Sequence, residues 1–370
     1  MAKSSTTSDA RHDTTSDTGD ATTTPKGAKP EKGKKGKKGK HGKKAEKARA
    51  KAADERAAAQ AKATAKAEKA QRKAEKKAAD ARTAAAADLI ARRDAAIELL
   101  RARPGDLLTA VDTAATPGFD GSRADGERAL AAIGEQLSGL QERLFAHGRT
   151  GGDRSVLLVL QGLDTAGKGG IVRHVLGLVD PQGVALRSFG VPTAEERRHH
   201  YLWRVRRALP RGGSIGVFDR SHYEDLLVAR VDELVAPEVW QARFDEVNTF
   251  EARVAAAGTV IVKVALWVSP DEQYRRLRDR LERPDKHWKY DPSDVDARMK
   301  RPAYEVAYQD VVDRTNTETA PWYVVPADNK WYARLAVSAL LHRALSDLDL
   351  GWPAPAYDVA AELARLDATR

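Results

Sequence analysis

Val156-Leu157-Leu158-Val159-Leu160-Gln161-Gly162-Leu163-Asp164-Thr165-Ala166-Gly167-Lys168-Gly169-Gly170 is the stretch that decides the fold. Five apolar residues of strand length run directly into G-x-x-x-x-G-K, and a helical pattern follows over Lys168–Val179. Strand, glycine-rich turn and helix are the context in which this motif cradles phosphate. Gly162 and Gly167 let the backbone turn its N–H groups inward, and Thr165, Ala166 and Gly169 complete the loop. The helix N-terminus adds partial positive charge, and Lys168 supplies a full one. A Ser or Thr that would ligate Mg²⁺ ordinarily follows the lysine. Gly169 stands there instead, so Asp164 becomes the candidate metal ligand. A carboxylate among phosphates calls for a cation between them.

Outward from this loop, strands and helices alternate. Strands are expected at Val184–Phe189, Ser214–Phe218, Thr259–Val268 and Trp322–Val325. Helices are expected at Ala194–Leu209, His222–Val231, Pro237–Ala257, Asp271–Leu281, Val295–Thr315 and Lys330–Leu348. Two more, near Leu89–Leu100 and Glu127–His147, precede the loop across an irregular stretch. The pattern predicts an α/β fold with a parallel sheet covered on both faces.

Ligands of open parallel sheets sit at the carboxyl ends of the strands. The strand ending in Asp219 therefore places that carboxylate beside the loop, as a second metal ligand or as the cap of the next helix. Arg220 follows, with a planar fork suited to phosphate. Glu224 and Asp225 read either as substrate contacts or as solvated first-turn acids. Tyr274–Lys289 is dense with cations and reads as a lid over the transferred phosphoryl or as a solvated basic helix. The Arg197–Arg207 stretch either lines a polyanion path or is an exposed face. Trp288 reads as core rather than as a base-stacking residue.

The chain has 370 residues and a formal charge of +10. Residues 1–85 hold 24 basic and 11 acidic side chains; the remainder is slightly acidic. The basic character thus belongs to the tail, which excludes reading the whole chain as a basic nucleic-acid-binding domain. Between Ala2 and Asp88 there is no Leu, Ile, Val, Phe, Trp or Tyr. Residues 1–87 are therefore expected to be a disordered Lys/Ala-rich tail, of which 51–87 suits a solvated helix without a coiled-coil seam. The absence of cysteine excludes disulfides, thiolate catalysis and cysteine-bound zinc. No secretory signal or membrane helix is read, and a cytoplasmic location is expected.

Gly162–Gly170, Phe218–Asp225 (FDRSHYED), Lys286–Tyr290 and Thr319–Asp328 (TAPWYVVPAD) together resemble the polyphosphate kinase 2 family over about residues 95–350. The resemblance implies a thymidylate-kinase-like P-loop kinase: a three-layer parallel sheet with a helical lid at about 271–302. The catalytic domain would span 88–350, with 351–370 as a C-terminal extension. It also implies Mg²⁺-dependent, reversible phosphoryl transfer between polyphosphate and AMP or ADP, with Mn²⁺ as an alternative ion. The family's loop aspartate and lysine match Asp164 and Lys168, its strand-end pair matches Asp219 and Arg220, and a lid arginine falls on Arg280. The resemblance implies a homo-oligomer. The tail is not part of the family pattern; it would bind polyphosphate or nucleic acid, or serve solubility. Two other readings share part of these residues: an ATP-dependent nucleoside or small-metabolite kinase, which a donor assay separates, and a nucleic-acid-associated protein with a degenerate loop, against which the intact Asp164, Lys168 and Asp219 count.

Overall fold

Strand β1, Ser155–Gly162, is buried at all eight positions, which is what a continuous apolar run at the centre of a parallel sheet requires. A computed structural model describes residues 39–370. The Ser/Thr/Asp-rich start and the larger part of the Lys-Gly repeats lie outside them, as do the side chains of Leu89 and Ile90.

Two units divide the chain after Lys76. In the first, helix α1 begins at Gly39, and side chains from 58 to 76 are exposed. The expected helical stretch 51–87 falls within the bounds of α1, Gly39–Leu100. The alanines of residues 58–76 give helix propensity and leave no apolar stripe to bury.

In the second unit the last turn of α1 buries Ile97 and Leu100. Helix α2, Arg123–Arg149, starts four residues earlier than its apolar spacing suggests. Ser122 and Asp125 form a capping box there, which satisfies the free N–H groups of the first turn. The remaining elements follow in order: α3 (Lys168–Val175), β2 (Val184–Ser188), α4 (Leu202–Arg206), β3 (Ile215–Asp219), α5 (Glu224–Val231), α6 (Pro237–Ala256), β4 (Thr259–Trp267), α7 (Pro270–Glu282), α8 (Ser293–Met299), α9 (Arg301–Thr315), β5 (Trp322–Pro326), α10 (Lys330–Ser346) and α11 (Val359–Asp367). Helix α11, in the expected C-terminal extension, is exposed throughout.

The five strands form one parallel sheet in the order β2-β3-β1-β4-β5. The α/β expectation holds. Because the chain leaves β1 for β2, returns to β3 and then crosses to β4, the connections diverge around the carboxyl end of β1. This is the crevice in which such sheets bind ligands. The register sets Leu160 opposite Asp219, so both chain segments reach that crevice together.

Two more helices differ from expectation. Only Glu196–Arg198 and α4 are helical within Ala194–Leu209. Thr193 and Glu196 exchange side-chain bonds, with Thr193 N–H donating to Glu196 Oε2 at 2.9 Å, and this closes a local turn. The expected Val295–Thr315 helix is split at Lys300, where Pro302 opens α9 without an N–H to donate.

Beneath the crevice lies a charged cluster inside the apolar core. Lys263 of β4 is fully buried and donates to Glu251 Oε2 (2.7 Å), Tyr223 Oη (2.9 Å) and the Thr315 carbonyl (2.6 Å). Glu251 Oε1 also pairs with His222 Nε2 at 3.0 Å and accepts from Tyr223 at 2.8 Å. Burial pushes the Glu251 carboxyl up, but Lys263 and His222 outweigh it and hold it below the ordinary range. The His-Tyr of the strand-end motif is thus a root in the core, fixing the segment that carries Asp219 and Arg220.

Candidate active site

The loop after β1 needs glycine where the chain has least room. Gly162 has φ +153°, and a Cβ there would lie 2.7 Å from the Leu266 carbonyl of β4. Its N–H donates to the buried Tyr308 hydroxyl at 3.0 Å. Gly167, at φ +119°, is the residue from which α3 starts. Lys168 folds back over the loop and donates to the Gly162 carbonyl at 2.6 Å.

Thr165 and Arg220 both adopt left-handed backbone, at φ 64° and 62°. This conformation is uncommon for side-chain-bearing residues. Arg220 is held by its N–H to the Leu160 carbonyl (3.1 Å) and by Nη2 to Asp164 Oδ1 (3.0 Å). The loop aspartate and the strand-end arginine therefore meet directly. Burial pulls the Arg220 guanidinium down, but Glu224, Asp164 and Asp219 outweigh it and leave it raised, firmly charged.

Thr165 is held by a residue that sequence reasoning missed. Arg276, buried on α7, donates to the carbonyls of Thr165 (2.8 Å), Ala166 (3.1 Å), Ala327 (2.6 Å) and Asp328 (3.0 Å), and to Glu272 at 2.6 Å. One guanidinium thereby staples the loop after β1 to α7 and to the β5–α10 turn. The residue chosen from sequence, Arg280, lies one turn further along α7. It bonds the Lys289 carbonyl (2.9 Å) and Asp294 (3.1 Å), and so ties α7 to the segment that leads into α8 while still facing the cleft. Trp288, expected as core, is exposed at 78%.

Two clefts meet at the Asp164–Arg220 pair. The first, of about 770 Å³, is lined by the whole loop from Asp164 to Gly170, by Asp219 and Arg220, and by cations that include Arg276, Arg280, Lys286 and Lys289. The second, of about 360 Å³, lies between the loop, α5, α8 and α9. Its walls are Leu227, Val228, Tyr304 and Tyr308, with Glu224, Asp232 and Asp296 as acids. One cleft is cationic; the other is apolar and acidic. Of the two first-turn acids of α5, Glu224 faces the second cleft. Asp225 turns away, to Arg204 and Arg243 at 3.5 Å each. Burial pushes the Glu224 carboxyl up, against the pull of Arg220 and Lys168.

Asp164 and Asp219 offer hard oxygen donors at the cationic cleft. Among the described residues no cluster of three or more His, Asp or Glu forms a closed metal cage. Two carboxylates with room for phosphate oxygens and water suit Mg²⁺, which keeps much of its shell for such ligands. Among the described residues no helix is long and apolar enough to cross a membrane.

Comparison with known proteins agrees with this geometry. Residues 120–350 match the family model for polyphosphate kinase 2. The chain is 42% identical over 262 residues to an AMP/ADP-polyphosphate phosphotransferase of Meiothermus ruber, covering 71% of this chain and 93% of that protein. It is 39% identical over 231 residues to an ADP-polyphosphate phosphotransferase of Rhodopseudomonas palustris, covering 59% and 78%. The crystal structure of polyphosphate kinase 2 from Arthrobacter aurescens superposes with a TM-score of 0.72 at 49% identity, over 73% of this chain and 96% of that one. With the loop, the strand-end pair and the sheet order in place, the chain belongs to the polyphosphate kinase 2 family.

Proposed function

We propose that the protein transfers the terminal phosphoryl group of inorganic polyphosphate to AMP or ADP, and runs the reverse reaction as well. The observation that carries this reading is the charge partition of the two clefts at one arginine–aspartate pair. A chain of phosphates suits the cationic cleft. A nucleoside suits the smaller one, where apolar walls take a base and carboxylates accept from amino or hydroxyl groups. The relatives' names support the same substrates.

The acceptor phosphate oxygen is already ionised near neutral pH, so no strong base is needed. It attacks the terminal phosphorus in line, the P–O bond to the chain breaks, and polyphosphate leaves one unit shorter. The chemistry is positioning and charge neutralisation. Lys168 and the amides of Thr165, Ala166, Gly167 and Gly169 hold the phosphates. Arg220, where the clefts meet, bridges donor and acceptor, and Arg280 from α7 adds charge above the transfer point. Mg²⁺, or Mn²⁺ in its place, held by Asp164 and Asp219, supplies charge neutralisation of the phosphate oxygens when bound. Both sides of the reaction are phosphoanhydrides, which makes it reversible.

We read the basic tail as a tether for polyphosphate that raises its local concentration, with binding that weakens steeply in salt. An assay of AMP and ADP phosphorylation with polyphosphate as the only donor tests the function. Phosphorylation by ATP of some other acceptor, without use of polyphosphate, would replace it with an ordinary kinase. The reading places the enzyme in the cytoplasm as a homo-oligomer; light scattering of the purified chain tests the latter.

A further inference from the structure

Gln161 is the one amide side chain on the fully buried strand β1, and the arrangement above gives it no part. A buried amide costs energy unless its donors and acceptor are bonded. Just past the end of β3, Ser221 is fully buried as well, and its hydroxyl accepts from the Tyr223 N–H at 3.1 Å. The N–H and the hydroxyl of Ser221 both lie against one end of the Gln161 amide, at 3.1 and 3.0 Å, and Glu224 Oε1 lies against the other end at 3.0 Å. A backbone N–H can only donate, so the end beside Ser221 is the carbonyl oxygen, and Gln161 Nε2 donates to Glu224. In that orientation the hydroxyl of Ser221, its N–H and the Glu224 carboxylate all find partners on one side chain.

The next residue reaches the opposite wall of the smaller cleft. The Gly162 N–H donates to the Tyr308 hydroxyl of α9, and both Tyr308 and the Glu224 of α5 line that cleft. The last two residues of β1 are therefore bonded to two different walls. These bonds differ in what they hold. Tyr308 is packed in the core, edge-on to Trp267 with ring centroids 5.6 Å apart, and keeps its place without Gly162. Glu224 stands in the first turn of α5 on a flexible stem, and ordering such a side chain costs rotamer entropy. The neighbouring Arg220 is engaged with Asp164. Gln161 is the group that fixes the direction of the Glu224 carboxylate.

We propose that Gln161 is a positioning residue for the nucleotide: it holds Glu224 by Oε1, aims the carboxylate into the smaller cleft and leaves Oε2 to accept from an amino or hydroxyl group of the acceptor nucleoside. The proposal rests on the reading that this cleft takes the nucleoside. Gln161 touches no substrate itself. It acts on nucleotide binding and not on the transfer, so its loss reads out on one substrate alone.

The test varies ADP at saturating polyphosphate, and polyphosphate at saturating ADP, in the full chain. Gln161→Met keeps the length of the side chain and removes the bond. The KM for ADP should rise about tenfold, the scale of one hydrogen bond to a charged group. Both kcat and the KM for polyphosphate should stay within about twofold of wild type. In an E224A background the same substitution should change the ADP KM by less than about twofold, because the carboxylate it aims is gone. Gln161→Asn keeps an amide in the strand without the reach, and gives the same signature should Gln161→Met not fold. An ADP KM at the wild-type value, a polyphosphate KM or kcat that moves along with it, or an undiminished rise in the E224A background overturns the positioning role while the phosphotransferase reading stands. A wild-type chain that does not phosphorylate ADP from polyphosphate overturns that reading and the positioning role with it.

Discussion

Arg220 Nη2 lies 3.0 Å from Asp164 Oδ1, and this contact joins the end of β3 to the phosphate loop at the point shared by two clefts of opposite character. The arginine reaches this position from a left-handed backbone, and its bond to Asp164 holds the guanidinium there. Lysine at this position keeps the charge but loses the planar fork. Arg220→Lys should lower kcat about 100-fold, the size of one lost transition-state donor, with a far smaller change in either KM. Initial rates with both substrates varied would check this; a near-normal kcat would remove Arg220 from the transfer point.

Arg276 shapes the loop without facing the reaction as Arg220 does. Its four bonds to backbone carbonyls hold Thr165 and Ala166 against the β5–α10 turn. Arg276→Met leaves those carbonyls unpaired, and each buried unsatisfied group costs about 1–3 kcal/mol. Thermal unfolding should show a clear loss of stability, and kcat should fall together with affinity for polyphosphate. Arg276→Lys should recover stability in part and turnover hardly at all, since one ammonium cannot reach four acceptors.

Glu224 faces the acidic cleft with a carboxyl that burial pushes up. A raised value means that the carboxylate is protonated sooner as pH falls, and a protonated acid is a poorer acceptor for amino and hydroxyl groups. The KM for nucleotide should therefore climb on the acid side, while the KM for polyphosphate moves much less. Glu224→Gln should raise nucleotide KM at every pH and flatten that climb. Kinetics across pH with each substrate limiting in turn separates the two effects.

Glu251 and Lys263 offer a stability test beneath the site. Removing one partner of a buried ion pair typically costs about 3–5 kcal/mol, whereas replacing both by apolar residues is often far milder. Lys263→Met should shift the urea midpoint strongly; K263M/E251L should restore part of it. If the cluster positions the strand-end segment, the double variant stays slow even where stability returns.

Much of this arrangement is legible in the sequence because it depends on local rules. Only glycine fits at Gly162 beneath the Leu266 carbonyl, and the short apolar run ending in Asp219 reads as a strand because of its length and its place in the alternation. Arg276 and Arg280 could not be told apart in this way. They sit one helical turn apart in an arginine-rich stretch, and which of them is buried depends on carbonyls from Thr165 and Ala327, distant in the chain. The second cleft was likewise invisible, since Leu227 and Tyr304 read as ordinary helix positions until α5 and α9 are packed together. The helix after β2 is capped by the reciprocal Thr193–Glu196 bonds, yet it stops at Arg198, the chain extends at His199 and helix resumes only at Leu202, an interruption that no residue there announces.

The most direct test incubates the full chain with AMP or ADP, Mg²⁺ and long-chain polyphosphate, with no other donor, and follows both substrates by ³¹P NMR. The account predicts one phosphoryl group gained by nucleotide for each unit lost from polyphosphate, and no turnover in Lys168→Ala of unchanged fold. Nucleotide left unphosphorylated while ATP serves as donor to another acceptor would contradict it.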